Sequence, residues 1–326
     1  MTKKIAIIDT GINLSENNFN IYHGEAIEIK MRNNDFYYSN NISDTQGHGT
    51  KCASIITSII GDIQIVPIRI YEEFGEVSSK LLIESLRKCL EIEVNLINIS
   101  LATINKTYYS EVYELLNLLK KQNKLVVASL HNSGIDSIPA SLDNVVGIKG
   151  INLNGQSDKF IFNEDSTIQG MFDNTPQFAL DHKGQYRLFN GNSKATAVAS
   201  GIILKYMIEE NLENIDDIIE LLKSKSYRSC IKKNSSNYSS IDIDEEIFNN
   251  IIILLSEVTN RELNKNEILY YPLMKKEIGL NYDNIIELIN KIIDYYKLEI
   301  EISRLTANEI CNVKTLIDLV RRYRKI

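Results

Sequence analysis

The sequence predicts an α/β protein, with a mainly parallel sheet flanked by helices, followed by a small all-α helical bundle. Three observations predict it. Short apolar runs at 5–8, 65–70, 96–99 and 125–128 alternate with amphipathic stretches, as in βαβ units whose sheet is covered on both faces. The segments 81–90 and 111–121 carry apolar residues at intervals of three and four, the spacing of crossover helices. From 224 to 241 the chain is rich in Ser, Asn and Lys and loses apolar periodicity, and beyond it the pattern is helical throughout. These boundaries predict an α/β domain over 1–226, a linker over 227–243 and a helical domain over 244–326.

The first run ends at Asp9, followed by Thr10 and Gly11, which places a carboxylate at the carboxyl end of a parallel strand, where α/β sites form. A helix is expected over 50–56, just after His48. The helical domain should hold three helices: one through Ile247, Ile251, Leu254, Leu255 and Val258, one through Ile285, Leu288, Ile289, Ile292, Ile293 and Tyr296, and one through Val313, Leu316, Ile317 and Val320. Asp283 is the expected N-cap of the second. Arg321, Arg322, Arg324 and Lys325 crowd the last turn of the third, where cations complement the helix dipole.

At 326 residues the chain exceeds one typical domain, and its 44% hydrophobic and 24% charged residues are ordinary globular values. A net charge of -7 disfavours nucleic acid as a partner. The longest apolar runs are too short to cross a bilayer, so no membrane association is expected. The first strand begins at Lys3, which leaves no room for a leader or an inhibitory pro-segment and favours a cytoplasmic location. The four cysteines, Cys52, Cys89, Cys230 and Cys311, lie far apart without a C-x-x-C pair, and are expected to be reduced, mostly buried thiols rather than metal ligands or disulfides.

Three segments carry residue types suited to nucleophilic catalysis: I-A-I-I-D-T-G at 5–11, G-H-G-T at 47–50, and G-N-S-K-A-T-A-V-A-S-G at 191–201. A serine hydroxyl is a weak nucleophile at neutral pH. It needs a base to take its proton and a carboxylate to fix the base's tautomer. Taken singly, each residue has a plainer reading. Asp9 could be a turn or cap residue, and D-T-G also occurs in aspartic proteases, although no second D-T-G or D-S-G is present to complete a carboxylate pair. An isolated histidine is usually a satisfied surface or core residue, as His23 and His182 are read here. A buried small-residue helix explains the alanines after Ser193, but not the glycines and serine at these offsets.

Together, in this order, the three segments resemble the active site of the subtilisin-like serine proteases. The third matches that family's G-T-S-x-A-x-P-x-x-x-G at Gly191, Ser193, Ala195 and Gly201, and departs from it at Asn192, Thr196 and Ala197. The lost proline supplies no chemistry. The resemblance implies Ser193 as nucleophile, His48 as base and Asp9 as its orienting carboxylate. The segment L-V-V-A-S-L-H-N-S-G at 125–134 resembles the family's strand ending in A-A-G-N-x-G, which implies Asn132 as an oxyanion donor beside the Ser193 amide. I-N-I-S-L-A at 97–102 resembles the family strand ending in S-L-G, which implies that Ser100, Leu101 and Ala102 pair with an extended substrate, opposite Ser129, Leu130 and His131. His131 and Ala102 replace glycines in the two pocket walls, and the expectation is a restricted or polar pocket that rejects large apolar residues. No acidic loop has convincing calcium-ligand spacing, and no metal or cofactor is expected.

Residues about 245–326 resemble acyl carrier proteins, with I-G-L-N-Y-D-N-I-I-E-L-I in place of the family's L-G-x-D-S-L-x-x-x-E-L-x. Gly279 and Glu287 are in register, but Tyr282 stands where the phosphopantetheine-bearing serine would be, so the resemblance implies a carrier fold reduced to recognition. A generic three-helix appendage is the plainer alternative. The reading is a serine endopeptidase acting on a dedicated peptide or protein substrate, such as a precursor or leader peptide in peptide natural-product maturation, with a biosynthetic protein partner bound through the C-terminal domain. A non-catalytic protease-fold adaptor and an acyl-transfer ligase are the alternatives.

Overall fold

Strand β1 (Lys4–Asp9) lies at the centre of the sheet, and its side chains show how the first unit is built. Successive residues of a strand face opposite sides. Accordingly Ile5 and Ile7 enter one core cluster while Ala6 and Ile8 enter the other. A strand buried on both faces has no polar alternation, which is why the run reads as continuously apolar.

The computed structural model describes residues 3–13, 19–70, 78–227, 244–263, 268–269 and 271–324. They fall into two units. The first comprises Met1–Thr175, Ala179–Gln185 and Phe189–Arg228, and the second Pro176–Phe178, Tyr186–Leu188 and Ser229–Ile326.

In the first unit, β1 pairs in parallel with β5 (Gln64–Ile70) on one side and β6 (Leu96–Ile99) on the other. The parallel ladder continues through β7 (Leu125–Ser129), β8 (Val146–Ile151) and β10 (Gly170–Asp173). Beyond β5 lie β3 (Ile27–Arg32), parallel, and the two-residue β2 (Asn20–Ile21). The edges are antiparallel, formed by β4 (Asp35–Ser39) on β3 and by β9 (Phe160–Phe162) on β10. Helices α1 (His48–Ile60), α4 (Gly191–Glu209) and α5 (Ile215–Lys225) supply one core, and α2 (Ser79–Glu91) and α3 (Tyr109–Lys121) the other. The fold is thus the predicted α/β arrangement with a mainly parallel sheet.

Helix α4 has no polar face over most of its length, because it packs against α1 and α5 as well as against β6, β7, β8 and β10. Small residues make this possible. A Cβ on Gly201 would stand 3.1 Å from the Ile59 Cβ and 3.3 Å from the Ile56 carbonyl oxygen.

The second unit holds α6 (Glu245–Thr259), α7 (Ile285–Tyr296) and α8 (Val313–Tyr323), with short 3-10 turns at Ile302–Arg304 and Ala307–Ile310. All the apolar residues expected to face its core are buried except Ile293, which packs partly buried against the same cluster. Asp244 caps α6 by accepting from the Ile247 amide at 3.1 Å, and Asn312 caps α8 in a capping box with Thr315. The expected cap of α7 is corrected: its N-cap position is Asn284, not Asp283. Asn281 and Asn284 bond each other's backbone there, and Asp283 instead accepts from Arg187 Nη1 at 3.1 Å. Apart from residue 227, the expected linker lies outside the described residues. Among those described, no helix is long and apolar enough to cross a membrane.

Candidate active site

Three neighbouring parallel strands, β1, β6 and β7, end at one edge of the sheet, and the residues at or just past those ends are Asp9, Ser100 and the segment 130–132. Helices α1 and α4 begin there too, with His48 as the first residue of α1 and Ser193 in the first turn of α4. Helix α1 therefore includes His48 itself and starts two residues earlier than the sequence suggests.

Asp9 is 0% exposed. Its Oδ1 accepts from the Thr10 amide at 2.8 Å and lies 2.7 Å from His48 Nδ1. With the carboxylate on Nδ1, that nitrogen carries the proton and Nε2 is left as the basic atom. Burial pulls the imidazole's pKa down, but the charge and hydrogen bond of Asp9 prevail and hold it above its ordinary 6.5. The Phe189 ring packs against the imidazole in a T-shaped pair, centroids 5.5 Å apart at 88°. Helix α1 must start very close to β1: a Cβ on Gly49 would lie 2.2 Å from the Gly11 carbonyl oxygen and 3.0 Å from the Asp9 Cβ. That is the physical content of the glycine in G-H-G-T.

Sequence reasoning missed Asp44, which organises the turn into His48. Its Oδ1 accepts from Thr10 Oγ1 and from the amides of Gln46 and Gly47, and its Oδ2 from the amide and hydroxyl of Thr50, at 2.7–3.0 Å. An Asp two residues ahead of a turn amide is an Asx signal, present in the sequence as D-T-Q-G-H. Burial raises the carboxyl pKa, yet the bonds from Thr50, Gly47 and Gln46 outweigh it and hold the group below its ordinary 3.8. A depressed folded pKa stabilises the fold above the ordinary value and ceases to do so as pH falls through the depressed one. Asp44→Asn is therefore expected to lower stability at pH 7 and to flatten its loss under acid, measured as denaturation midpoints between pH 3 and 7.

Cys52 Sγ lies 3.7 Å from Asp9 Oδ2 and 3.5 Å from Ser100 Oγ. Burial and then the Asp9 charge push the thiol pKa well above its ordinary 9.0, so Cys52 is a neutral donor to the carboxylate. Asp9, His48 and Cys52 have ligand atoms within 4.8 Å of one another, but these atoms are engaged by each other and by Thr10 and Ser100.

The Ser193 hydroxyl donates to the Ser100 carbonyl at 3.4 Å. Its amide is among the first N–H groups of α4, which have no acceptor inside the helix, and the positive end of the helix dipole falls there. Asn132 Oδ1 accepts from the Asn192 amide at 3.2 Å. Along the substrate-facing segments, Ser100 is buried while Leu101 and Ala102 are half-buried. Just beyond them Thr103 and Ile138 exchange two backbone bonds, 3.0 and 2.8 Å. Opposite, Ser129 and Leu130 are buried, with the Leu130 side chain in the core, and His131 is half-buried with Nδ1 2.7 Å from Ser133 Oγ.

Lys194, the residue after the serine, is 0% exposed, and its Nζ lies 2.6 Å from the equally buried Asp173 Oδ2 and 3.1 Å from the Asp173 carbonyl. Burial outweighs the attraction of Asp173 and holds the ammonium pKa below its ordinary 10.5. Removing one member of such a pair strands the other charge. Lys194→Met is expected to lower the unfolding free energy by about 3–5 kcal/mol in a denaturant titration, and adding Asp173→Asn to recover part of the loss.

This fold and this set of groups define an α/β serine hydrolase. Residues 2–247 match the model of the Subtilase family. The chain belongs to that family of subtilisin-like serine proteases. No curated protein matches it. Among solved structures, the epidermin leader peptide processing serine protease EpiP of Staphylococcus aureus is similar at 19% identity, covering 73% of this chain and 72% of that one, with a TM-score of 0.58. The nisin leader peptidase NisP of Lactococcus lactis is similar at 16% identity, covering 70% and 83%, with a TM-score of 0.56. A lanthipeptide protease is similar at 17% identity, covering 68% and 79%, also at 0.56. At these identities the likeness is one of fold.

Proposed function

We propose that the chain cleaves a dedicated peptide, a precursor or a leader-bearing one, through an acyl-enzyme on Ser193. The observation that carries this reading is the 2.7 Å bond between His48 Nδ1 and a fully buried Asp9, at the same sheet edge as a serine on a helix N-terminus. In the reaction the Ser193 hydroxyl rotates from the Ser100 carbonyl to His48. Nε2 takes its proton as Oγ attacks the scissile carbonyl, and Asp9 stabilises the imidazolium. The Ser193 amide and Asn132 Nδ2 receive the oxyanion. His48 then protonates the leaving amine, and water releases the acyl group by the same route. Residues 100–102 pair with the substrate as an added strand, and 129–131 form the facing wall.

Two of the structural neighbours, EpiP and NisP, process leader peptides, which supports a peptide precursor as the substrate class. The three described cysteines are free, which supports a reducing compartment such as the cytoplasm. The carrier resemblance supports docking of a substrate or a biosynthetic partner by the second unit, where Tyr282 is 60% exposed at the position of the carrier serine. The test is digestion of a synthetic peptide library with and without an added amine. Hydrolytic fragments are expected. Amine-bearing products establish transfer instead, absence of products favours an adaptor, and cleavage chiefly after Phe or Leu contradicts the restricted pocket.

A further inference from the structure

We infer that Asn192, where the family pattern has threonine, is a positioning residue that sets the oxyanion donor and one wall of the substrate cleft. This rests on the catalytic reading of Ser193. The side chain is 8% exposed and uses both ends of its carboxamide. Oδ1 accepts from the Gly150 amide at 2.8 Å, while Nδ2 donates to the carbonyls of Leu130 at 2.9 Å and His131 at 3.2 Å. One residue on α4 thereby ties the end of β8 to the extension of β7 that leads into Asn132.

The backbone of the same residue completes the arrangement. A peptide N–H only donates, so the Asn132 atom 3.2 Å from the Asn192 amide is the carbonyl oxygen of its side chain. The NH2 end of that carboxamide is left to donate to an oxyanion, together with the next amide along the helix, that of Ser193. Asn132 needs such a restraint. It lies in an exposed segment, 132–136, outside regular structure, and the nearby anchor is the 2.9 Å bond from the His131 amide to Ser137 Oγ. A threonine could not replace the clamp, because one hydroxyl has a single proton to share between two carbonyls and a shorter reach to Gly150. The change from G-T-S to G-N-S thus accompanies a cleft wall fastened through side-chain amide bonds.

A positioning role through Asn132 predicts a non-additive loss of rate. The probe is a fluorophosphonate: Ser193 Oγ forms a bond to phosphorus, fluoride leaves, the hydroxyl proton passes to His48, and the phosphoryl oxygen enters the oxyanion site. Asn192→Asp keeps the shape and the bond from Gly150 but sets oxygen against two carbonyls. Its maximal labelling rate should fall about 10- to 100-fold, the size of effect a misplacement near 1 Å produces, with little change in the probe's half-saturating concentration. Asn132→Ala should fall as far, and the double variant within about threefold of Asn132→Ala alone. The pH midpoint of labelling, set by the His48 and Asp9 pair, should not move in Asn192→Thr or Asn132→Ala, which add no charge. Asn192→Thr, which keeps one donor, serves if the aspartate variant fails to fold, and is expected to lose rate to a smaller degree. Wild-type labelling rate in both Asn192 variants, or multiplicative losses in the double variant, overturns the inference while leaving the catalytic reading intact. No labelling of the wild type overturns both.

Discussion

Ser193→Ala is expected to reduce peptide cleavage by on the order of 10⁶-fold, a magnitude measured on subtilisin, the namesake of this family. In the proposed reaction the hydroxyl is the group that becomes covalently bound to substrate, and the nearby Cys52 thiol does not take its place: buried and held neutral, it donates to Asp9 and lies 3.5 Å from Ser100 Oγ. His48→Ala is expected to lose as much, and the double variant scarcely more, because nucleophile and base act as a unit. Initial rates on a peptide found by library digestion, with unfolding midpoints as controls, measure this. The residual rate of the variants reports what Asn132 and the α4 amides contribute alone.

The second large effect concerns Asp9. Asp9→Asn keeps the shape but presents no charge to His48, and its NH2 end can favour the tautomer protonated on Nε2, which is not basic toward serine. Loss of about 10⁴-fold in kcat is expected. The pH profile adds a sign. The free imidazole is the active form, so kcat/KM rises with pH through the His48 pKa, which Asp9 holds above 6.5. Without the Asp9 charge, burial remains as the larger influence and lowers that pKa. The acid limb of Asp9→Asn should therefore move to lower pH while its plateau falls. A plateau that falls with an unmoved limb would mean that the carboxylate does not set the base.

The parts of this molecule legible in its sequence are those whose chemistry is local or whose burial is complete. Strands β1, β5, β6 and β7 are apolar over most of their length because both faces are covered, and the helices between them carry one polar face. The edges of the sheet are less legible. In β4, D-F-Y-Y-S is mostly exposed, with Tyr38 hydroxyl-bonded to Glu84 at 2.8 Å, so hydrophobic patterning says little. Strands β8 and β10 contain glycines that other groups crowd: a Cβ on Gly150 would lie 2.7 Å from the Asn174 Cβ. Such contacts depend on residues far along the chain and leave no periodicity.

The site divides in the same way. Asp9, His48, Ser193 and Asn132 stand out because each sits in a short pattern of glycines and small residues that the geometry requires within a few positions. The groups that hold them do not. Asn192 bonds Leu130, His131 and Gly150, and Lys194 meets Asp173 across 21 positions. In the sequence Asn192 looks like a simple departure from a family pattern, and Lys194 fills a position that the pattern leaves open. Their roles follow from where the sheet brings β7, β8 and β10 relative to the start of α4.

Whether Ser193 is an activated nucleophile is tested by intact mass followed by peptide mapping after exposure to a fluorophosphonate probe, for the wild type and Ser193→Ala. A single adduct on the wild type, mapped to Ser193 and missing from the variant, is the predicted result. An unmodified wild type, or equal labelling of both proteins, contradicts it and leaves a protease fold whose site does not catalyse.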